Sequence, residues 1–124
     1  MGIIISVALG GAIGSVLRFI LSKLIQDRTG IDFPLGTLLV NLLGAFLIGF
    51  AFAYFVERMS LSPEVRALFI TGFLGGFTTF STFSYESYNL LMDGELVKFI
   101  LYTLGTNGVG LFMTLLGYNI GRML

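Results

Sequence analysis

The hydrophobic positions of this chain gather in four long runs, over about residues 3–25, 35–56, 66–91 and 97–121. Each run holds roughly the 20 residues that a helix needs to cross a hydrocarbon core. The links between them are short and carry most of the charge: Gln26-Asp27-Arg28-Thr29-Gly30-Ile31-Asp32, then Glu57-Arg58 to Glu64-Arg66, then Asp93-Gly94-Glu95. Ser62-Pro63-Glu64 has the form of a helix start, with Ser62 placed to cap and Pro63 at the first helical position. Phe33-Pro34 opens the second run in the same way. The pattern predicts an all-α membrane protein: one domain, residues 1–124, of four transmembrane helices with both termini on the same side. The first residues have no basic stretch before the apolar run and no small-residue cleavage site after a short one, so they read as the start of a membrane helix and not as a removable signal.

One stretch departs from this pattern. Within the third run stands Gly72-Phe73-Leu74-Gly75-Gly76-Phe77-Thr78-Thr79-Phe80-Ser81-Thr82-Phe83-Ser84, glycines followed by hydroxyls interleaved with phenylalanines. In hydrocarbon every backbone N–H and C=O must be satisfied internally, so irregular backbone survives only where protein covers it or a polar cavity meets it. A broken third helix, with the break near 75–78, is therefore expected to mark a site. Carbonyls ahead of the break lose their partners and suit a hard cation such as Na⁺. Beyond it a new helix begins, with Thr78 or Thr79 able to cap it and free N–H groups that favour an anion. The plainer alternative is a glycine kink that lets helices cross. Gly10/Gly14, Gly72/Gly76 and Gly117/Gly121 all have the small-xxx-small spacing of close helix packing.

Composition narrows the class. With 56% hydrophobic residues, 11% charged and a mean hydropathy of +0.95, a chain of 124 residues cannot clothe itself in a polar surface. Seven basic and seven acidic residues cancel, which leaves no electrostatic footprint for nucleic acid. Cysteine and histidine are absent, which removes thiolate chemistry and the commonest general base and metal ligand, and argues against an enzyme.

The distribution of charge adds a partner. Arg58, Arg66 and Arg122 lie on the side of the termini; Lys23, Arg28 and Lys98 lie on the other. Excess Lys and Arg in short loops marks the cytoplasmic side, and here neither side has an excess. Both orientations are thus open to the chain, and an inverted pair has a two-fold axis in the membrane plane. The expectation is an antiparallel, dual-topology homodimer in which two breaks meet and pool carbonyls around one shared cation.

The polar residues within the runs are few. Phe80 and Phe83 share a helix face and alternate with Ser81, Thr82 and Ser84, so their rings are either filler or positive edges turned to a small anion. Asn41 stands in the middle of the second run, where an amide either bonds across helices or donates to an anion. Tyr102, Thr106 and Gly110 recur every four residues, with Thr103, Asn107 and Thr114 beside them; such a stripe lines a pore or bonds back to its own helix. Arg18 either snorkels to the interface or supplies positive charge at a wet vestibule. Glu86 is the outer end of the same polar path or the wet end of the third helix.

Taken together, these residues resemble the Fluc/CrcB fluoride-channel family over essentially the whole chain. The matching pieces are Gly10-Gly11-Ala12-Ile13-Gly14 with Arg18, then Gly36-Thr37-Leu38-Leu39-Val40-Asn41-Leu42-Leu43-Gly44, and most specifically Gly72 to Ser84. The resemblance implies antiparallel homodimers in a prokaryotic cytoplasmic (inner) membrane, with two fluoride pores and one structural Na⁺ at the dimer centre. By similarity, backbone carbonyls of Gly75 and Thr78 from both subunits would hold the Na⁺. Phe80 and Phe83 would line the pores with ring edges toward fluoride, Asn41 would position a phenylalanine and donate to the ion, and Ser81 and Thr82 would contribute hydroxyls. Tyr102 and Thr106 would continue the polar track, while Gly110 lacks a hydroxyl found in some relatives. Arg18 matches a basic residue near the aqueous vestibule, with Glu86 at the path's outer end. The implied activity is passive, highly selective F⁻ export, which limits toxicity when HF enters a cell and dissociates. The competing expectations are a dual-topology proton-coupled exporter, which needs a membrane carboxylate that the first run lacks, and a non-transporting membrane scaffold.

Overall fold

The computed structural model describes residues 2–124, and by length and composition it contains four spans able to cross a membrane. They are α1 (Gly2–Thr29), α2 (Leu35–Arg58), a third crossing over Pro63–Met92 and α5 (Leu96–Met123). The third crossing divides into α3 (residues 63–77) and α4 (Phe80–Met92). Met1, which the sequence reading places at the start of the first helix, lies outside the described residues.

The ends follow from local chemistry. Ser62 accepts a hydrogen bond from the Val65 N–H and caps α3, as the Ser-Pro-Glu sequence predicts. Helix α1 runs on to Thr29, beyond the apolar run, because nothing stops it before Gly30. There a φ of +60° closes the helix through a Gly30 N–H bond to the Gln26 carbonyl at 3.0 Å. Gly94 (φ +75°) ends α4 in the same manner, with the Glu95 N–H reaching back to the Leu90 carbonyl at 2.9 Å. Pro34 offers no side-chain cap to α2. Gln26 does that work from α1: its Oε1 accepts from the Gly36 N–H at 3.0 Å, and its Nε2 donates to the carbonyls of Ile31 and Phe33 at 2.9 and 2.8 Å.

The helices pair as α1 with α3 and as α2 with α5. Both seams are drawn shut by glycine. A Cβ at Gly10 or Gly14 would collide with the backbone of Leu68 or Phe73, and one at Gly76 would sit 2.7 Å from the Gly11 carbonyl. Across the other seam, Gly49 meets the Thr114 backbone and Gly117 meets that of Phe46. All three small-xxx-small pairs are therefore packing devices, Gly72/Gly76 included. Three stretches widen to i→i+5 turns: Phe52–Arg58, Ala67–Leu74 and Gly105–Val109. Nothing in the hydropathy pattern announces them. The deepest side chains are Tyr102, Phe77 and Val40. Contact between α3 and α2 is sparse by comparison, which leaves an open cleft beside the centre of the third crossing.

Candidate functional site

The centre of that crossing is where helical backbone stops. Gly75, Gly76 and Phe77 are still helical. Thr78 (φ −93°, ψ 155°) and Thr79 (φ −147°, ψ 123°) are extended, and α4 begins at Phe80. The interruption thus falls at the far end of the expected 75–78 stretch, on Thr78 and its neighbour Thr79, and not on the glycines. The glycines are occupied in the α1 seam, whereas a threonine hydroxyl can take up the hydrogen bonds that an interruption frees. Thr78 Oγ1 donates to the Leu74 carbonyl at 3.1 Å, and Thr79 Oγ1 accepts from the Thr82 N–H at 3.3 Å as the N-cap of α4. Of the two candidate caps, Thr79 is the one used.

Two side chains from other helices complete the turn. Asn41 of α2 grips Thr79 at both ends: its Nδ2 donates to the Thr79 carbonyl at 3.1 Å and its Oδ1 accepts from the Thr79 N–H at 2.9 Å. Arg18 of α1 donates from Nε to the Gly76 carbonyl at 2.9 Å. Among the described residues, the carbonyls of Gly75 and Thr78 receive no protein hydrogen bond. Gly75 is exposed on the subunit's flank.

Beside the interruption lies a cleft of about 420 Å³ that brings together Asn41, Phe80, Phe83 and Thr106, with Thr78 and Asn107 also on its wall. No charged side chain lines it. Phe80 is 75% exposed to the open side while Phe83 is buried, and their ring centroids are 5.7 Å apart. Thr106 Oγ1 is buried and is the one such side-chain atom among the described residues without a hydrogen-bond partner. Asn107 Nδ2 bonds back to its own helix at Thr103, and Thr114 Oγ1 crosses to the Ala45 carbonyl of α2 at 2.9 Å. Gly110 lines the cleft with room around it. Ser81 and Thr82 are not on the wall; their hydroxyls gather on Thr79 Oγ1, at 3.2 and 3.4 Å.

Tyr102 sits under the cleft, fully buried, with its ring 5.1 Å from Phe83 and 5.6 Å from Phe33. Its hydroxyl donates to Glu86 Oε1 at 2.8 Å. Glu86 in turn lines a surface concavity of about 280 Å³ with Gln26, Phe33, Asn89 and Asp93. A line of rings, Phe80, Phe83, Tyr102 and Phe33, therefore leads from the middle of the crossing toward the end of the bundle that holds the α1–α2 link.

The family model described as "CrcB-like protein, Camphor Resistance (CrcB)" matches residues 5–118. The chain belongs to the CrcB family. The CrcB relative named "Fluoride-specific ion channel FluC" from Aquifex aeolicus (strain VF5) is 62% identical over 124 residues, all of both chains. A protein of the same name from Thermus thermophilus is 50% identical over 118 residues, 95% of this chain and 94% of its own. A third, from Hydrogenobaculum sp. (strain Y04AAS1), is 43% identical over 120 residues, 97% of this chain and 98% of its own. These are names of channels and not of enzymes.

Several contacts of this CrcB chain lie outside what its sequence suggests. The grip of Gln26 on the α1–α2 link is one; an amide directly before a charged Asp-Arg-Thr-Gly turn is the only signal that points to it. A second is the Tyr118 hydroxyl, which donates to Glu57 Oε1 at 2.7 Å and ties α5 to the end of α2. Arg122 stands over the Tyr118 ring at 5.9 Å. The third is the hold of Arg18 on Gly76, which neither the interface nor the vestibule reading foresees.

Proposed function

We propose that the chain is a passive, selective fluoride channel of a prokaryotic cytoplasmic membrane, letting cytoplasmic F⁻ run out down its gradient. The observation that carries this reading is the uncharged cleft in which two phenylalanines, Asn41 and a hydroxyl without a partner meet at mid-membrane in a chain 62% identical to a fluoride-specific ion channel. A small anion must shed water to enter, and conduction needs binding that is favourable yet weak enough for exit. Ring edges of Phe80 and Phe83 offer weak positive potential without a fixed charge. Thr106 Oγ1 has a proton to give, and one N–H of Asn41 remains after the other is taken by Thr79. Ser81 and Thr82 hold the first turn of α4 and so the placement of Phe80. Tyr102 and Glu86 carry the polar path toward the mouth.

In this reading two copies lie antiparallel, each contributing to one of two pores, and their interruptions face each other. Gly75 and Thr78 of both copies present backbone carbonyls, a donor set of neutral oxygens that suits Na⁺. Support comes from the carbonyls themselves: they receive no hydrogen bond from the protein within a membrane-crossing segment, and Gly75 is exposed on the flank. The cation supplies a fixed charge that ties the two subunits. The balanced loop charges support the two orientations.

Protein reconstituted in liposomes is expected to release F⁻ and retain Cl⁻ under an imposed gradient with valinomycin present, as read by ion-selective electrodes. Phe80→Ile is expected to cut the F⁻ rate by at least about tenfold, a loss of roughly 1.4 kcal/mol at the barrier, with the dimer still assembled. No F⁻ efflux from the wild-type protein would sink the channel reading and return the exporter and scaffold alternatives. Dual topology has its own test. Lysines added to one loop face should force a single orientation, and that population alone should conduct nothing until a partner carrying lysines on the opposite face is supplied. Conduction by the single-orientation population would remove the antiparallel dimer.

A further inference from the structure

We infer that Arg18 is a positioning residue that caps the C-terminal end of α3 and fixes the turn between Gly76 and Thr79, rather than a free charge at an aqueous mouth. The inference rests on the reading of that turn as the ion-handling centre, and two of its three tests need no fluoride.

The contact itself is specific. Arg18 Nε reaches the Gly76 carbonyl at 2.9 Å across 58 positions of sequence, and the side chain is partly buried. Among the described residues Arg18 has no carboxylate partner; the ion pairs found are Lys23–Asp27, Lys98–Asp32 and Lys98–Glu95. A guanidinium within a membrane span is costly unless something answers its charge. What answers it here is the end of a helix. The last carbonyls of α3 have no following turn to bond to and carry the negative pole of the helix dipole. The Leu74 carbonyl is taken by the N–H and the hydroxyl of Thr78, and the Gly76 carbonyl is taken by Arg18.

The sequence builds this contact through the glycine seam. Gly10, Gly14 and Arg18 recur every four residues and so share one face of α1. The first two press on the backbone of α3 at Leu68 and Phe73. The third position on that face arrives where α3 stops, and there a long cationic donor replaces glycine. Asn41 holds the other side of the turn from α2. Arg18 and Asn41 thus bracket Gly76 to Thr79 from two different helices, and the carbonyls of Gly75 and Thr78 are among those they leave unbonded. A lysine would keep the charge at the helix end but lose the planar, directed donor.

Two variants and a labelled carbonyl test this on the full-length protein. Labelling glycine carbonyls with ¹³C and phenylalanine amides with ¹⁵N isolates the Gly–Phe pairs, which are Gly49–Phe50, Gly72–Phe73 and Gly76–Phe77. In Arg18→Lys, which keeps the charge, one of these signals is expected to move and the others to stay. Arg18→Gln removes the charge as well. It should raise hydrogen exchange at residues 78–82 by about tenfold, within the range for a partly buried cation at a helix C-terminus, while Arg18→Lys restores part of that protection. Flux through Arg18→Gln should fall by the same factor at about 10 mM and about 300 mM salt, because a capping contact is not screened as a mouth charge is. If no Gly–Phe signal moves in Arg18→Lys, the inference is overturned. It is equally overturned if exchange at 78–82 is unchanged and the flux loss disappears in high salt, which is the signature of a vestibule charge. Loss of fluoride specificity in the wild-type protein would defeat the channel reading and leave the carbonyl and exchange measurements standing.

Discussion

Asn41→Asp is expected to stop fluoride flux, lowering the efflux rate from liposomes by at least about 100-fold, or roughly 2.7 kcal/mol at the barrier. The substitution is nearly isosteric, so its effect comes from hydrogen-bond sense and charge. A carboxylate can still accept from the Thr79 N–H, as Oδ1 does at 2.9 Å. It cannot donate to the Thr79 carbonyl, which now takes the Nδ2 proton at 3.1 Å, and two acceptors would then face each other. A buried acceptor left without a donor costs about 1–3 kcal/mol. The extended backbone at Thr78 and Thr79 has few other supports, so Phe80 would lose its fixed position at the cleft. The negative charge also stands on the wall of a cleft proposed to pass an anion. Asn41→Ala separates the two effects: it removes the grip on Thr79 without adding charge, and its flux should fall by about tenfold. An Asp variant that conducts like the wild type would end both the positioning role and the pore assignment of Asn41.

Gly14→Val is expected to cost about 3 kcal/mol of folding stability and to abolish the yield of folded protein at growth temperature. The α1–α3 seam leaves no volume at this position: a Cβ at Gly14 would collide with the Phe73 carbonyl and stand 3.0 Å from the Phe77 N–H. Those atoms are backbone and cannot turn aside. Helices in a bilayer associate through close packing, because lipid offers no hydrophobic gain on association. Forcing α1 away from α3 also carries Arg18 off Gly76, so the interruption loses a support along with the seam. The matched control lies on the same helix. Gly11→Ala places its Cβ in ordinary contact, 3.8 Å from the Gly72 carbonyl, and should change stability by no more than about 0.5 kcal/mol. Unfolding in a graded series of denaturing detergent measures both. Equal stability of the two variants would show that the seam is not where the fold is held.

The sequence is a good guide where one residue type answers one solvent. Four apolar runs predict four spans because hydrocarbon asks the same thing of every residue in a run, and the structure places spans over all of them. Ser62-Pro63 announces a helix start because capping is settled within a few residues. The Gly72 to Ser84 stretch is recognisable as a place of irregular backbone for the same local reason. Where the irregularity falls is another matter. The sequence places the break near 75–78; in the structure α1 lies against Gly76, which explains that glycine by a close approach, and the extended residues are Thr78 and Thr79.

The sequence by itself determined the medium, the number of crossings, the short charged links and the residue types available for handling an ion, since these follow from composition and spacing along the chain. Tertiary structure alone decided which polar groups are engaged and which remain free. Asn41 meets Thr79 across 38 positions, Arg18 meets Gly76 across 58, and Tyr118 meets Glu57 across 61. A pattern within one helix can place a donor on a face, as it does Arg18, but which residue it meets depends on how closely two helix axes approach. That approach is set in turn by glycines such as Gly14 and Gly117 lying against backbone that the sequence does not reveal. The unbonded Thr106 hydroxyl and the open carbonyls of Gly75 and Thr78 are among the groups that remain once those long-range bonds are made.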